Sequence, residues 1–299
     1  MAEVLVTGGT GFLGTRLKKV KPNWLYLSSR DCNLLDFKES LEFFSSHKPS
    51  AIIHLAARVG GIKDNANNQA EYFFQNTMMN TNVIHISSIL GVPRVLSSLS
   101  TCAFPDQVSQ YPFSESELFN GPPARTNFSY GITKRALHAQ TVAYREQYGL
   151  NYSSFCPSNL YGPSDNYDPE SSHFVASLIR KISEADDGNT IELWGSGAPL
   201  RQQLYIDDLC ELIPVLLERH NTEIPLIVAN NENLSIKEMA YAARESLNKD
   251  VKFFFNGSYE GQHRKDGSNK ALIEMTGKYN FTKFKDGIKK TYNWYLENK

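Results

Sequence analysis

Cysteine is scarce: four residues in 299, at positions 32, 102, 156 and 210, with no CxxC pair. That spacing excludes a disulfide framework and argues against a zinc site, so no metal is expected and free thiols in a reducing, cytoplasmic compartment are the default. No apolar run reaches the ~18 residues of a membrane span. Charge bias is missing too, with 31 Lys+Arg against 32 Asp+Glu and a net charge of −1. There is therefore no electrostatic case for nucleic acid or a membrane surface as partner. The start, Met-Ala-Glu-Val-Leu-Val-Thr-Gly-Gly, lacks the basic region and apolar core of a signal peptide. Without one, the N-x-S/T sequons at Asn127, Asn151, Asn256 and Asn280 carry no weight. Internal repeats, low-complexity tracts and linkers are absent as well. What is present is ordinary globular material, 41% hydrophobic and 21% charged, long enough for two domains at ~150 residues each.

The first half alternates. A β-rich run at Glu3 to Thr7 meets a glycine-rich turn and a helical pattern. Strand candidates at Trp24–Leu27, Ala51–Leu55, Arg94–Leu99 and Tyr152–Cys156 are separated by helical stretches at Asp36–Ser46, Gln69–Leu90 and Lys134–Tyr148. This predicts an α/β fold, a Rossmann-type doubly wound parallel sheet with right-handed crossovers. The alternation breaks after Gly162, and a smaller α+β substrate domain is expected. The predicted division is 1–162 for the dinucleotide domain, rejoined by roughly 202–230, with 163–201 and 231–299 forming the second domain.

Gly8, Gly11 and Gly14 follow the first strand as GxxGxxG, with Gly9 added. Such glycines let the chain turn off the strand, let the backbone approach a pyrophosphate, and let helix and strand pack closely. The phosphates would sit on the helix N-terminus. A tight turn explains the glycines equally well when the loop is taken alone; its place at the head of a βαβ run points to a dinucleotide. At the end of the second strand an acidic residue would favour NAD, but the chain reads Leu27-Ser28-Ser29-Arg30. Two hydroxyls and a guanidinium suit a 2′-phosphate and so favour NADP(H). A solvated loop arginine is the alternative.

Tyr130-Gly131-Ile132-Thr133-Lys134 places a phenol and an ammonium four residues apart, on one helical face. A lysine there can lower the tyrosine pKa and bind the nicotinamide ribose, and a tuned phenol can protonate an alkoxide as hydride arrives. With the glycine loop, and with Ser100 ~30 residues upstream after a strand, this combination resembles the short-chain dehydrogenase/reductase superfamily. His54-Leu55-Ala56-Ala57-Arg58-Val59-Gly60-Gly61-Ile62, Gln75-Asn76, Ser100-Thr101-Cys102-Ala103-Phe104-Pro105, Pro157-Ser158-Asn159-Leu160-Tyr161-Gly162-Pro163 and Trp194-Gly195-Ser196-Gly197 narrow it further. Together they resemble the GDP-L-fucose synthase branch, from Val4 to the final helix.

The resemblance implies NADPH-dependent 3,5-epimerisation and 4-keto reduction of a GDP-4-keto-6-deoxy sugar. Ser100, Tyr130 and Lys134 would form the reducing site, and Cys102 and His173 would share the proton transfers at C3 and C5. A ketone at C4 acidifies both positions, and a cysteine thiol near pKa 8.5 is close enough to neutrality to be recruited. Taken without the resemblance, Cys102 reads as a small buried apolar residue and His173 as a helix-terminus histidine. The cofactor would lie on Gly8, Gly11, Phe12, Leu13, Gly14 and Arg30. Leu55, Ala56, Ala57, Tyr130, Lys134, Asn159 and Leu160 would complete its site. Substrate contacts fall to Ser100, Asn159, Lys181, Trp194, Arg201 and Glu260. Glu260 stands where the family usually has an aspartate; for Lys181 a surface salt bridge is the alternative. Ala136, Ala139 and Ala143 line one helical face, and the resemblance implies a homodimer built on this helix and the Gln69–Leu90 helix. Two rivals remain at this point: a reductase of a related GDP-keto-deoxy sugar that epimerises one centre or none, and a non-catalytic NADP-binding sensor or scaffold.

Overall fold

The computed structural model describes residues 4–258 and 262–299. In chain order the first half contains β1 (Val4–Thr7), α1 (Phe12–Val20), β2 (Leu25–Leu27), α2 (Phe37–His47), β3 (Ala51–His54), α3 (Ile62–Asn67), α4 (Gln69–Ile89), β4 (Arg94–Ser98), α5 (Phe128–Tyr148) and β5 (Asn151–Pro157). Then follow β6 (Asn159–Tyr161), α6 (Phe174–Glu184), β7 (Thr190–Leu193), β8 (Leu200–Arg201), β9 (Gln203–Tyr205), α7 (Ile206–Arg219) and β10 (Leu226–Val228). The tail adds β11 (Leu234–Ser235), α8 (Ile236–Ser246), β12 (Lys252–Phe255), β13 (Arg264–Lys265), α9 (Lys270–Thr276) and α10 (Phe284–Glu297). No described helix is long and apolar enough to cross a membrane.

Six strands form one parallel sheet in the order β10-β5-β4-β3-β1-β2. Successive strand residues face opposite sides. Leu5, Ile52 and Val95 thus join one core under α2, α4 and α5, while Val6, Ile53 and Leu96 join another under α1 and α7. Near-continuous burial along β3 and β4 is what a sheet covered on both faces requires. The sheet stops at β2. Beyond it the chain turns, with Asp31 accepting from the Ser28 amide at 2.9 Å, and Asp36 then caps α2. Among the described residues no further strand pairs outside β2, as one does in the six-strand Rossmann order. Strand order reverses at β1, so the carboxyl ends of β1 and β3 open the crevice where ligands bind in such sheets.

β10 returns to the main sheet beside β5. A third core gathers α6, β7, α8 and α10 around Met239, Ile179 and Phe284. Tyr161 and Tyr205, from the paired strands β6 and β9, meet edge to face at 5.6 Å and tie that core to the sheet's carboxyl edge. Gly287 leaves room for the Tyr161 ring, which a side chain there would meet. α8 starts on a reciprocal Ser235–Glu238 capping box.

Candidate active site

The glycine loop is shaped by contact. Gly8 has φ +72°, and a Cβ there would lie 2.8 Å from the Ala56 amide nitrogen. β1 and β3 therefore approach each other in a way only glycine permits. Gly14 packs directly on the Gly8 carbonyl. α1 begins at Gly11 with no side-chain cap, so its first amides stay available to an anion. Phe12 and Leu13 open this helix, and Leu55, Ala56 and Ala57 follow β3 across the crevice. Asp31 turns back to accept from the Ser28 hydroxyl at 2.6 Å, so its carboxylate is already engaged. Arg30 is exposed and makes no side-chain hydrogen bond or ion pair among the described residues. These residues fit a dinucleotide carrying a 2′-phosphate: open amides, a glycine cradle and an uncommitted guanidinium.

A buried polar line runs from this loop to α5. Asn80 donates to the Thr133 carbonyl (3.3 Å), so its Oδ1 accepts from His54 Nε2 (3.0 Å). His54 Nδ1 then accepts from Thr7, whose oxygen in turn accepts from the Leu55 and Ala56 amides. Burial pushes His54 down to about 3, which keeps the imidazole neutral and this direction of donation intact.

α5 starts at Phe128, earlier than the sequence pattern predicts, which puts Tyr130 in its first turn. Gly131 is required because the Cys102 carbonyl passes against the helix where its Cβ would be. The turn at Thr101–Ala103 is capped by Ser100, whose hydroxyl accepts from the Cys102 amide at 3.2 Å. The Ser100 hydroxyl also bears on the Tyr130 phenol, favouring its ionised form. Arg135 is buried and donates through Nε to the Ala103 carbonyl, pinning the same turn. Ser100, Cys102 and Tyr130 are thus brought together. Lys134 is 2% exposed and donates to the Ser98 carbonyl at 2.8 Å.

One expectation needs correcting. The Tyr130 phenol is not lowered by Lys134: burial pushes it up, with the Cys102 charge adding and the Ser100 hydrogen bond opposing. The Lys134 ammonium lies 5.8 Å from the ring centroid and is itself pushed down to about 8 by burial. Tyr130 is accordingly a phenol that keeps its proton until something more basic than itself demands it.

Cys102 behaves oppositely. Burial alone would raise its thiol, but the Lys265 charge and hydrogen bonds from Ser100, Lys265 and Asn127 outweigh it and hold the thiol below its ordinary value. Lys265 Nζ stands 3.2 Å from Sγ. Neither Lys265 nor Asn127 is visible as functional in the sequence. Lys265 lies 163 positions from Cys102 in a polar stretch, with no motif to mark it; Asn127 reads only as a sequon.

His173 caps α6 with no side-chain hydrogen bond to the helix, and its surroundings push its pKa down. A Cβ at Gly61 would lie 3.8 Å from the Ser171 carbonyl oxygen, so the loop after β3 closes on the segment bearing His173. Asn159 and Leu160 begin β6 directly after β5. Lys181 makes no ion pair among the described residues; it donates to the Glu192 carbonyl at 2.8 Å, beside Trp194, which is 62% exposed. Arg201 sits on β8 in register with Lys265 on β13. Glu260 lies outside the described residues.

The chain matches the NAD dependent epimerase/dehydratase family over residues 4–229. It is 35% identical to a probable GDP-L-fucose synthase of Drosophila melanogaster, covering 100% of this chain and 98% of the relative. The GDP-L-fucose synthase of Escherichia coli K12 is 32% identical, over 99% of this chain and 97% of its own. Among solved structures, a GDP-L-fucose synthetase from Naegleria fowleri bound to NADP superposes with a TM-score of 0.92. It shares 32% identity and covers 99% of this chain and 93% of that one.

Proposed function

Because the chain belongs to the GDP-L-fucose synthase family, we propose that it converts GDP-4-keto-6-deoxy-D-mannose to GDP-L-fucose, epimerising C3 and C5 and then reducing C4. The observation that carries this reading is the placement of an acidified thiol, Cys102, beside the Ser100–Tyr130 pair. A plain ketone reductase needs only the pair.

In the first stage the Cys102 thiolate takes a proton from C3 or C5. The C–H bond breaks, an S–H bond forms, and the electron pair moves onto the C4 oxygen. Ser100 and Tyr130 donate to that oxygen, which is where negative charge develops. His173 returns a proton to the other face, so the carbon is rebuilt inverted and the ketone is restored. Bound NADPH supplies the hydride for C4 in the second stage. As it arrives, Tyr130 gives its proton to the C4 oxygen. Lys134 would bind the nicotinamide ribose.

The cofactor would lie on the Gly8–Gly14 loop, with Arg30 against the 2′-phosphate; Leu55–Ala57 and Asn159–Leu160 would line the nicotinamide end. Arg201 and Lys181 would hold the GDP diphosphate, Arg201 through a two-pronged fork, and Trp194 and Glu260 the rest of the nucleotide sugar. The division into a cofactor domain (1–162 with 202–230) and a nucleotide-sugar domain follows these roles. A homodimer through α4 and α5 is supported by Ala136, Ala139 and Ala143, all exposed, and by Phe73 and Phe74, 46% and 59% exposed on α4. Packing on the sheet cannot explain side chains that face outward. A cytoplasmic setting would keep Cys102 reduced.

The experiment is NADPH oxidation with the keto sugar. Tyr130→Phe should lower kcat by about 100-fold or more while NADPH still binds; unchanged turnover would mean the proton donor is elsewhere.

A further inference from the structure

Lys265 is a built feature of the site. β13 pairs in parallel with β8, setting Lys265 opposite Arg201 and Arg264 opposite Leu200. Side chains opposite each other in register share a face, so the diphosphate-directed arginine and the thiol-directed lysine project together. The flanking residues point the other way. There, Arg264 and Asp266 form a two-pronged ion pair at 2.6 and 3.0 Å, and the guanidinium lies 4.9 Å from the Tyr111 ring. Tyr111 also donates to the Arg264 carbonyl at 2.9 Å. Phe113 donates its amide to the Asp266 carbonyl at 2.9 Å, and Ser268 donates back to Phe113 at 2.7 Å. The segment after Cys102 is thus laced to the strand that carries Lys265.

The neighbouring carboxylate is spent on Arg264, and among the described residues no carboxylate pairs with Lys265. The groups that bear on the Cys102 thiol are the Lys265 ammonium, the Ser100 hydroxyl and the Asn127 amide, and the Tyr130 phenol and Cys156 thiol feel its charge in turn. Lys265 is the one with a positive charge in hydrogen-bonding reach, at 3.2 Å. Lys134 is turned to the Ser98 carbonyl and Arg135 to the Ala103 carbonyl.

We propose that Lys265 is the positioning residue of epimerisation: from β13 it holds the Cys102 sulfur ready to accept the C3 and C5 protons. The proposal rests on the reading of Cys102 as the base. When sulfur takes the proton its charge is lost and the ion pair with it; when the thiol is reset, the pair forms again. Lys265 transfers no proton itself and serves only the first stage.

Two measurements test this. The pH profile of Cys102 alkylation by iodoacetamide needs no substrate; it is read at that residue by peptide mass spectrometry. In Lys265→Met the profile should move to higher pH, with about 10-fold slower alkylation at pH 7, and Lys265→Arg should restore most of it. Circular dichroism and unchanged NADPH affinity confirm that each variant is folded. With keto sugar and NADPH in deuterated water, Lys265→Met should shift product toward an unepimerised 4-hydroxy sugar without deuterium at C3 or C5. Superimposable alkylation profiles for wild type and Lys265→Met would overturn the proposal, as would a rise in KM alone, which would make Lys265 a diphosphate ligand. If wild type itself incorporated no deuterium, the functional reading would fail, while the alkylation profiles would still judge the Lys265–Cys102 pair.

Discussion

Lys134 is held in a place that costs stability. Its pKa falls from 10.5 to about 8 because burial disfavours the ammonium, a cost of about 3 kcal/mol at neutral pH. Below pH 8 the folded and unfolded chains both carry the charge, so the cost is fully present; it fades as pH rises from 8 towards 10.5. Lys134→Met should therefore stabilise the fold at pH 7. Loss of the Ser98 hydrogen bond offsets part of the gain, leaving about 1–2 kcal/mol in denaturant titrations, while reductase activity collapses. Gly131→Ala should do the reverse: its Cβ meets the Cys102 carbonyl, so a loss of about 1–3 kcal/mol is expected, with slower deuterium uptake as the turn bearing Cys102 shifts. At this scale the sequence carries Ser100, Tyr130 and Lys134 plainly, because a helix fixes the spacing of the last two. It cannot carry Lys265 or Asn127, whose roles arise only when distant segments meet at one sulfur.

Elements show the same division. Strands β1 to β5 are readable because each is a compact apolar run between turns, and α1, α2, α4 and the body of α5 by their helical spacing; the six-residue α3 is too short to show one. The two-residue strands β8, β11 and β13 are too short for any periodicity, yet they set Arg201 against Lys265. α7 is disguised by Pro214, a residue that normally breaks a helix interior. The junctions between elements are polar and buried, and that has a consequence in acid. His54 is pushed down to about 3, and His138 and His220 to about 4, in each case chiefly by burial. All three stay neutral in the folded chain while the unfolded chain takes up protons below about pH 6.5. Stability is therefore full above that pH and is lost as pH falls. Near pH 5 the three uptakes together correspond to about 4 kcal/mol per pH unit. Thermal melts from pH 7 to 4.5 should fall steeply, and His138→Asn with His220→Gln should flatten the slope.

For the whole molecule, the three cores describe how the work is divided. Two cover the faces of the sheet that holds the glycine loop, and the third carries His173, Lys181 and Trp194. In the proposed reading the reactive groups stand where the third core meets the carboxyl edge of the sheet, so neither part would hold a complete site. The outward face of α4 and α5 belongs to this scale as well. A mass near twice 33.7 kDa is expected by sedimentation, and Ala139→Arg, which places a charge on the small-residue stripe, should yield monomer with the fold intact. The near-neutral total charge hides local cations, Arg30, Lys181, Arg201 and Lys265, each of which has an anionic partner in the proposed reading.

The central claim is that one site both inverts two carbons and reduces a third. NMR of the product formed from GDP-4-keto-6-deoxy-D-mannose and NADPH in deuterated water tests it most directly. The expected result is GDP-L-fucose with deuterium at C3 and at C5, and hydride-derived protium at C4. A 4-reduced D-sugar with protium at both C3 and C5 would contradict it.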